Sequence, residues 1–131
     1  MANLILVLNQ NFDSSLEEIS QRAPVWIVES ESNRKACERL WKLKPRTDHR
    51  EIGAITSFRS ARPEDPVETL IAILPQLETH HGEVEQDEIV FPDEFVLEVI
   101  GTNATEPVKS ALRDFGFASF GQTEFGFRAR K

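Results

Sequence analysis

The sequence predicts an α/β fold with a mainly parallel open sheet of four to five strands and helices on both faces. Short apolar runs, typical of strands buried on both faces, recur four times along the 131-residue chain. Segments with helical apolar spacing separate these runs, as right-handed strand–helix–strand units require. No linker or repeat divides the chain, so we expect residues 1–131 to form a single domain.

A ferredoxin-like α+β arrangement is the alternative. The first strand–helix–strand unit is short, and the last third of the chain mixes hairpin signals with one helix. The four predicted strands are residues 4–8, 25–28, 54–58 and 95–100. Residues 117–127 resemble a strand or a hairpin around Gly121-Gln122, which would add an antiparallel edge.

The predicted helices are bounded by capping residues and prolines. The first helix begins at Asp13 or Ser14 and ends before Pro24, and the second helix ends before Pro45. The third helix covers residues 67–77. The last helix begins at Glu106-Pro107 and ends at a cap formed by Gly116. Pro75 should kink the third helix or end its regular part. The polar stretch 80–94 is expected to contain an edge strand or a packed loop at 89–92.

The charge of the chain is acidic overall and unevenly distributed. The net charge is −7, which disfavours nucleic acid or an anionic membrane as a partner. Residues 34–50 nevertheless carry seven Lys or Arg and two acids, whereas residues 83–98 carry seven acids and no base. We therefore expect one basic and one acidic region on the surface.

Cysteine content and the N-terminal residues suggest a cytoplasmic protein. Cys37 is the only cysteine, so neither an intramolecular disulfide nor a cysteine zinc cluster is possible. The apolar run at 4–8 is too short for the apolar part of a signal peptide or for a membrane span.

Polar residues follow each predicted strand, where parallel sheets place their ligands. The candidate ligand-binding residues are Asn9, Asn11, Asp13, Ser30, Asn33, Arg34, Ser57, Arg59 and Arg62. The arginines would bind a phosphate or carboxylate through forked N–H donors. Helix capping and turn formation explain several of the same residues without a ligand. Neither GxGxxG nor a P-loop occurs, so no nucleotide cofactor is expected.

His80-His81, followed by Glu83, Glu85, Asp87 and Glu88, supplies the ligand types of a divalent metal site. Adjacent histidines on a regular element point in different directions, and acidic runs are commonly solvated surface. We therefore predict no metal site and no cofactor.

The C-terminal phenylalanines are the predicted interface. Phe117, Phe120, Phe125 and Phe127 are concentrated at one end of the chain, where an open aromatic edge strand would invite pairing. The leading functional prediction is a non-catalytic binding or regulatory domain that contacts a protein partner or forms a homodimer. The alternative is an enzyme or sensor for a small anionic ligand at the strand ends, so the sequence leaves catalysis open.

Overall fold

The computed structural model describes residues 2–9, 16–41, 49–52 and 54–131. Within these ranges the chain forms four helices and nine strands. The helices are α1 Leu16–Ser20, α2 Arg34–Trp41, α3 Pro66–His81 and α4 Glu106–Arg113. The strands are β1 Leu4–Val7, β2 Val25–Glu29, β3 His49–Ile52, β4 Ile55–Arg59, β5 Glu83–Glu85, β6 Glu88–Val90, β7 Val96–Ile100, β8 Ser119–Gln122 and β9 Gly126–Arg130.

Seven of the described strands form one sheet in the order β3-β4-β2-β1-β7-β9-β8. The four predicted strands are its parallel centre, β4-β2-β1-β7. Strand β3 pairs antiparallel with β4, and β9 pairs antiparallel with both β7 and β8. The α/β fold is therefore confirmed, and the ferredoxin-like alternative is not the layout formed.

The prediction of a mainly parallel sheet with four to five strands is confirmed only in part. Three of the six strand pairs in the described sheet are antiparallel, and the sheet has seven strands. The edge strands account for the difference. Strand β8 is largely exposed and β3 reads His-Arg-Glu-Ile, so neither has the continuous apolar run by which buried strands are recognised.

Helices cover both faces of the sheet, as predicted. Alternate residues of each central strand point to opposite faces, so β1 and β2 contribute to two separate cores. On one face Leu4, Leu6 and Trp26 pack with residues of α3 and α4. On the other face Ile5 and Val7 pack with residues of α1 and α2, including the buried Cys37 of the second core.

Helix α3 continues through Pro75 to His81, so of the two predicted effects of Pro75, a kink or an end of the regular helix, the second does not occur. Proline lacks the N–H that would bond the carbonyl four residues earlier, here that of Ile71. Ile71 is 58% exposed, so water can reach this part of the helix. Thr79 donates from its hydroxyl to the Pro75 carbonyl at 2.9 Å, which adds a hydrogen bond on the C-terminal side.

The C-terminal hairpin forms as expected but turns later than predicted. Residues 123–125, rather than Gly121-Gln122, connect β8 to β9. Gly126 begins β9 where a Cβ atom would overlap the Val99 carbonyl, so a side chain there would push β9 away from β7. Among the described residues, no helix is long and apolar enough to cross a bilayer.

Candidate functional site

The sheet reverses its winding direction between β1 and β7. From β1 the chain moves outward through β2 to β4, and it then returns to place β7 on the other side of β1. In open parallel sheets such a reversal separates the loops that follow the two strands and leaves a crevice at their carboxyl ends. Such a crevice is the usual position of a small-molecule site in open parallel sheets.

A cavity of about 400 Å³ lies at this position. The described residues that line it come from the ends of β1, β2 and β7, from the loop between β4 and α3 and from the first residue of α3. They are Leu8, Asn9, Ser30, Glu31, Ser32, Pro63, Glu64, Pro66, Gly101 and Thr102. Two of the sequence-predicted ligand residues, Asn9 and Ser30, therefore meet in one cavity.

Asn9 carries an unsatisfied polar atom. Its side-chain oxygen Oδ1 is buried without a hydrogen-bond partner, the one such side-chain atom in the part of the chain that the structure describes. An unpaired buried acceptor costs about 1–3 kcal/mol. Gly101 lies directly against Asn9, at φ +97°, and a Cβ atom there would overlap the Asn9 backbone. Glycine at position 101 thus allows the ends of β1 and β7 to approach closely.

Asn33 has a structural role beneath the cavity. It is 1% exposed, and its Nδ2 donates to the carbonyl oxygens of Leu8 at 3.1 Å and Val28 at 2.7 Å. These two bonds join the ends of β1 and β2 and use both hydrogens of the side-chain amide. Asn33 therefore links the ends of these two strands through its side-chain hydrogen bonds.

The three predicted arginine ligands form ion pairs with glutamates. Arg59 lies 3.6 Å from Glu29, whose side chain is 7% exposed and also accepts from the Ser57 hydroxyl at 3.5 Å. Arg62 lies 3.5 Å from Glu64 and 3.3 Å from Glu68.

Arg34 is likewise paired, at 3.6 Å from Glu31 and 3.0 Å from Glu38. The pKa of Arg34 is raised above its ordinary value, first because Glu38 accepts its hydrogen bond and then because Glu31 and Glu38 are negatively charged. None of the three arginines is among the described lining residues of the cavity. Each of the three arginines is thus already paired with glutamate, and their role in anion binding stays a prediction.

The N-terminus of α3, which borders the cavity, is capped by a side chain of the protein itself. The Asp65 carboxylate accepts from the backbone N–H of Val67 at 3.0 Å and of Glu68 at 3.1 Å. A carboxylate thus already occupies the position that a bound anion would take at a helix N-terminus. Of the remaining predicted ligand residues, Asn11 and Asp13 lie outside the described residues.

Glu98 forms a second charged cluster, which the sequence analysis did not identify. It lies in the central strand β7 with its side chain 6% exposed, and it accepts from Arg128 at 2.9 Å and from Arg22 at 3.2 Å. The sequence signal was a single charged residue inside the apolar run 95–100. The two arginines, about half exposed, compensate the buried carboxylate and connect the turn after α1 with β7 and β9.

The acidic region of the sequence is divided between the sheet and a separate hairpin. Glu98 is paired in the sheet, whereas Glu83, Glu85, Asp87 and Glu88 lie on the β5–β6 hairpin and its turn. Among the described residues, none of these four carboxylates forms an ion pair. Glu85 and Glu88 face each other directly across the two strands. Like charges in that position are destabilising.

The same hairpin exposes an apolar pair. Val84 is opposite Ile89 in the strand register, and the two side chains are 75% and 42% exposed. Side chains in directly opposed positions share one face of a hairpin. The acidic hairpin, residues 83–90, therefore combines an uncovered apolar pair with four unpaired carboxylates.

The turn of the acidic hairpin has an unusual backbone. Gln86 and Asp87 have φ values of +51° and +67°. Positive φ at both central residues is typical of a type I′ turn, for which glycine and asparagine are preferred. This two-residue connection fixes the register and thereby places Val84 opposite Ile89.

His80 and His81 end α3 against Trp26. The indole Nε1 of Trp26 donates to Nε2 of His81 at 2.8 Å, and the His80 ring centre lies 5.4 Å from that of Trp26. Among the described residues, no group of three or more histidine, cysteine or carboxylate side chains is placed to hold a metal ion. The structure thus shows these histidines packed on an aromatic side chain.

The four phenylalanines of the predicted interface have different environments. Phe117 and Phe127 are each 1% exposed and belong to the core between the sheet and the α3–α4 layer. Phe120 packs partly against the same core, and Phe125 is 41% exposed. A partner at this end would therefore contact Phe120 and Phe125 but not Phe117 or Phe127 in the folded chain.

The comparisons with known proteins identify no relative. No protein-family model matches the chain, and searches of curated proteins and of solved structures return no significant match.

Proposed function

We propose that this protein is a non-catalytic binding domain whose acidic hairpin docks onto a basic surface of another protein. The carrying observation is the exposed Val84–Ile89 pair on a hairpin whose four carboxylates have no ion-pair partner among the described residues. Because successive side chains of a strand alternate, Val84 and Ile89 project from one face of the hairpin and Glu83, Glu85 and Glu88 from the other. The proposed partner therefore contacts both faces of the hairpin, and exposed apolar groups are typical of interaction surfaces.

Burial of Val84 and Ile89 would supply the non-polar part of the contact. Complete burial of such a side chain contributes about 1.5–3 kcal/mol. Val84 is the most exposed large apolar residue of the described chain, at 75%, and its cross-strand neighbour Ile89 extends the same surface. A small apolar patch on the partner would remove both side chains from water.

The carboxylates favour a partner with lysine or arginine residues. A positive side chain close to both Glu85 and Glu88 would relieve their cross-strand repulsion. Opposite potentials also accelerate association, and this acceleration falls as salt is added.

Self-association through the acidic hairpin is disfavoured by its charge. A twofold contact places the same surface of each copy against the other. Two acidic hairpins would then bring eight carboxylates together without compensation. The partner on this surface is therefore a different protein.

A homodimer through β8 is a separate proposal. Strand β8 is an edge of the described sheet and reads Ser-Phe-Gly-Gln, without the charge or proline that commonly protects such edges. Replacing Gln122 with proline would block pairing of that edge. If a dimer forms this way, sedimentation velocity should show a monomer for Gln122→Pro. A dimer unchanged by this substitution would contradict pairing through β8.

The alternative of an anionic ligand at the strand ends has weaker support. Arg34, Arg59 and Arg62 are each paired with glutamate, and Asp65 caps the adjacent helix. Binding an anion there would require breaking these pairs.

The test is affinity capture from a lysate of the source organism with tagged wild-type and variant proteins. Two hairpin variants are used, the double variant Val84→Ser/Ile89→Ser and the charge reversal Glu88→Lys. Two matched controls carry the same kinds of change elsewhere, Ile71→Ser on exposed α3 and Glu124→Lys on the β8–β9 turn.

We expect the wild type and both controls to capture the same protein and both hairpin variants to lose it. Capture should also fall as salt is raised, because exposed charges are screened beyond about 3 Å in 1 M salt. Equal capture by the hairpin variants and the wild type would refute the proposal. Circular dichroism and thermal denaturation confirm that each variant is folded.

A further inference from the structure

The two edges of the described sheet differ in their protection against pairing with another chain. Strand β3, at one edge, reads His-Arg-Glu-Ile, and charged side chains of this kind discourage such pairing. Strand β8, at the other edge, reads Ser-Phe-Gly-Gln without a charge, and most of its residues are exposed. The β8 edge is therefore open to a further strand.

Among the described residues, nothing explains a glycine at position 121, in the middle of β8. The φ angle of Gly121 is not positive, and a Cβ atom there would meet no atom within 4 Å apart from its two chain neighbours. Glycine inside a strand weakens it and often marks a position that another backbone approaches closely. Such a backbone on the outer side of β8 would come from a second molecule.

The backbone groups that face outward from β8 belong to Phe120 and Gln122. The N–H of Thr123 donates to the Gly126 carbonyl of β9 at 3.0 Å. Hydrogen-bonded and non-bonded positions alternate along an antiparallel pair. Gly121, two residues before Thr123, therefore also faces β9, whereas the N–H and C=O groups of Phe120 and Gln122 point away from the sheet.

We propose that β8 pairs antiparallel with β8 of a second copy, about a twofold axis that passes between the two Gly121 residues. The proposal rests on the β8 homodimer proposed above and adds its register. Phe120 of each copy lies opposite Gln122 of the other, and the two residues exchange both backbone hydrogen bonds. The two Gly121 residues then face each other in a non-bonded position, where α-carbons are about 4.5 Å apart, the closest spacing in a sheet.

The neighbouring registers satisfy fewer of the outward-facing groups. A register centred on Phe120 would place Gln122 opposite Ala118, whose N–H already donates to the Arg130 carbonyl at 2.9 Å. A register centred on Gln122 would place Phe120 opposite Glu124, which lies in the turn beyond the strand. The axis at Gly121 is therefore the one that uses the whole edge.

The charges at the two ends of β8 complement each other in this register. Arg130, opposite Ser119 on β9, and Glu124 are exposed and form no ion pair among the described residues. Glu124 lines a small cavity with Arg128, so it lies on the face from which Arg130 also projects. The axis brings Arg130 within about 10 Å of Glu124 of the second copy, measured between α-carbons across two strand spacings. Their long side chains can span this distance, and symmetry forms the ion pair twice.

Disulfide trapping at the axis tests the register. Gly121→Cys places two thiols across the closest pair of the dimer, within the α-carbon spacing of about 4.4–6.8 Å that a disulfide needs. Ser119→Cys is the matched control, because the two copies of position 119 lie roughly 14 Å apart in this register. Cys37 is buried, so the wild type controls for the native thiol. Circular dichroism confirms that each variant is folded.

Under mild oxidation we expect a disulfide-linked dimer from Gly121→Cys and none from Ser119→Cys or the wild type. Linking through position 119 would overturn the register. So would an unlinked Gly121→Cys variant if sedimentation shows a wild-type dimer that Gln122→Pro dissociates, and pairing through β8 would then stand. A wild type that is monomeric at about 1 mM, with neither cysteine linked, would overturn the homodimer as well.

Exchanging the two end charges tests the same register without a cysteine. Arg130→Glu or Glu124→Arg alone should weaken the dimer about two- to tenfold, because each brings like charges together at both ends of the paired strands. The double variant should return the dissociation constant to within about twofold of the wild type. Sedimentation equilibrium measures these constants. Single variants without effect, or a double variant no better than the singles, would overturn the predicted register.

Discussion

The carboxylates of the sheet and those of the acidic hairpin differ in burial and in ion pairing. In the sheet, Glu98 is almost fully buried and is compensated by Arg22 and Arg128 at hydrogen-bond distance. In the hairpin, Glu85 and Glu88 are exposed and face each other, and neither has a positive partner among the residues that the structure describes. A buried carboxylate must be paired for the chain to fold, because its desolvation costs several kcal/mol. An exposed one has no such requirement.

Apolar residues show the same contrast. Val99 of β7 is fully buried between β1 and β9, whereas Val84 of β5 is 75% exposed. The sheet therefore accounts for the stability of the molecule, and the hairpin contributes little to it. Docking to another protein, as proposed above, would account for a surface that adds little stability and repels itself.

The largest expected effect comes from shortening the same side chain in both regions. Val99→Ala should lower the free energy of unfolding by about 2–3 kcal/mol, because it removes buried methyl groups and leaves a cavity. Val84→Ala should change it by about 0.5 kcal/mol or less. Urea denaturation of both variants measures the difference. Similar losses would mean that the hairpin is part of the core after all.

A smaller effect is expected from removing one carboxylate charge in each region. Glu98→Gln should cost about 1–3 kcal/mol, since two arginines lose their shared partner but stay partly hydrated. Glu85→Gln should leave the free energy of unfolding unchanged or raise it by a few tenths of a kcal/mol, because it removes the repulsion with Glu88. If Glu98→Gln were as stable as the wild type, the buried ion pairs would not contribute to folding.

The smallest expected change in stability comes from Glu88→Lys, for which we expect opposite effects on stability and on binding. Glu88→Lys converts a like-charge pair with Glu85 into an opposite-charge pair, which should stabilise the chain by about 0.2–1 kcal/mol. The same substitution should abolish binding to a basic partner. Thermal denaturation and affinity capture on one preparation test both effects. A variant that is less stable and still binds would contradict both halves of this prediction.

The parallel centre of the fold could be predicted from the sequence because each of its strands is buried on both faces. Runs such as Leu4 to Leu8 and Phe95 to Ile100 leave few other interpretations. The edge strand β8 and the hairpin strands could not be identified as securely, because exposed strands need no such run. Val84 and Ile89 alternate with acidic residues on either side of Gln86-Asp87, which is typical of a hairpin. This pattern is difficult to recognise because most residues of the stretch are acidic.

The candidate site could be predicted in position but not in chemistry. Asn9 and Ser30 meet at the strand ends because residues that follow parallel strands converge there. The pairing of Arg59 with Glu29 depends on side-chain contacts across the folded sheet, which spacing along the chain does not reveal. The environment of Phe127 likewise follows from β9 lying beside β7 rather than at the edge.

Site-specific photocrosslinking tests the docking proposal most directly. A benzophenone amino acid is placed at Val84 or, as the control, at Ile71, which are the exposed apolar positions of the hairpin and of α3. In a lysate of the source organism we predict a discrete adduct from position 84 that is absent from position 71 and decreases in about 1 M salt. No adduct, the same adducts from both positions, or an adduct that high salt leaves unchanged would contradict docking through the acidic hairpin.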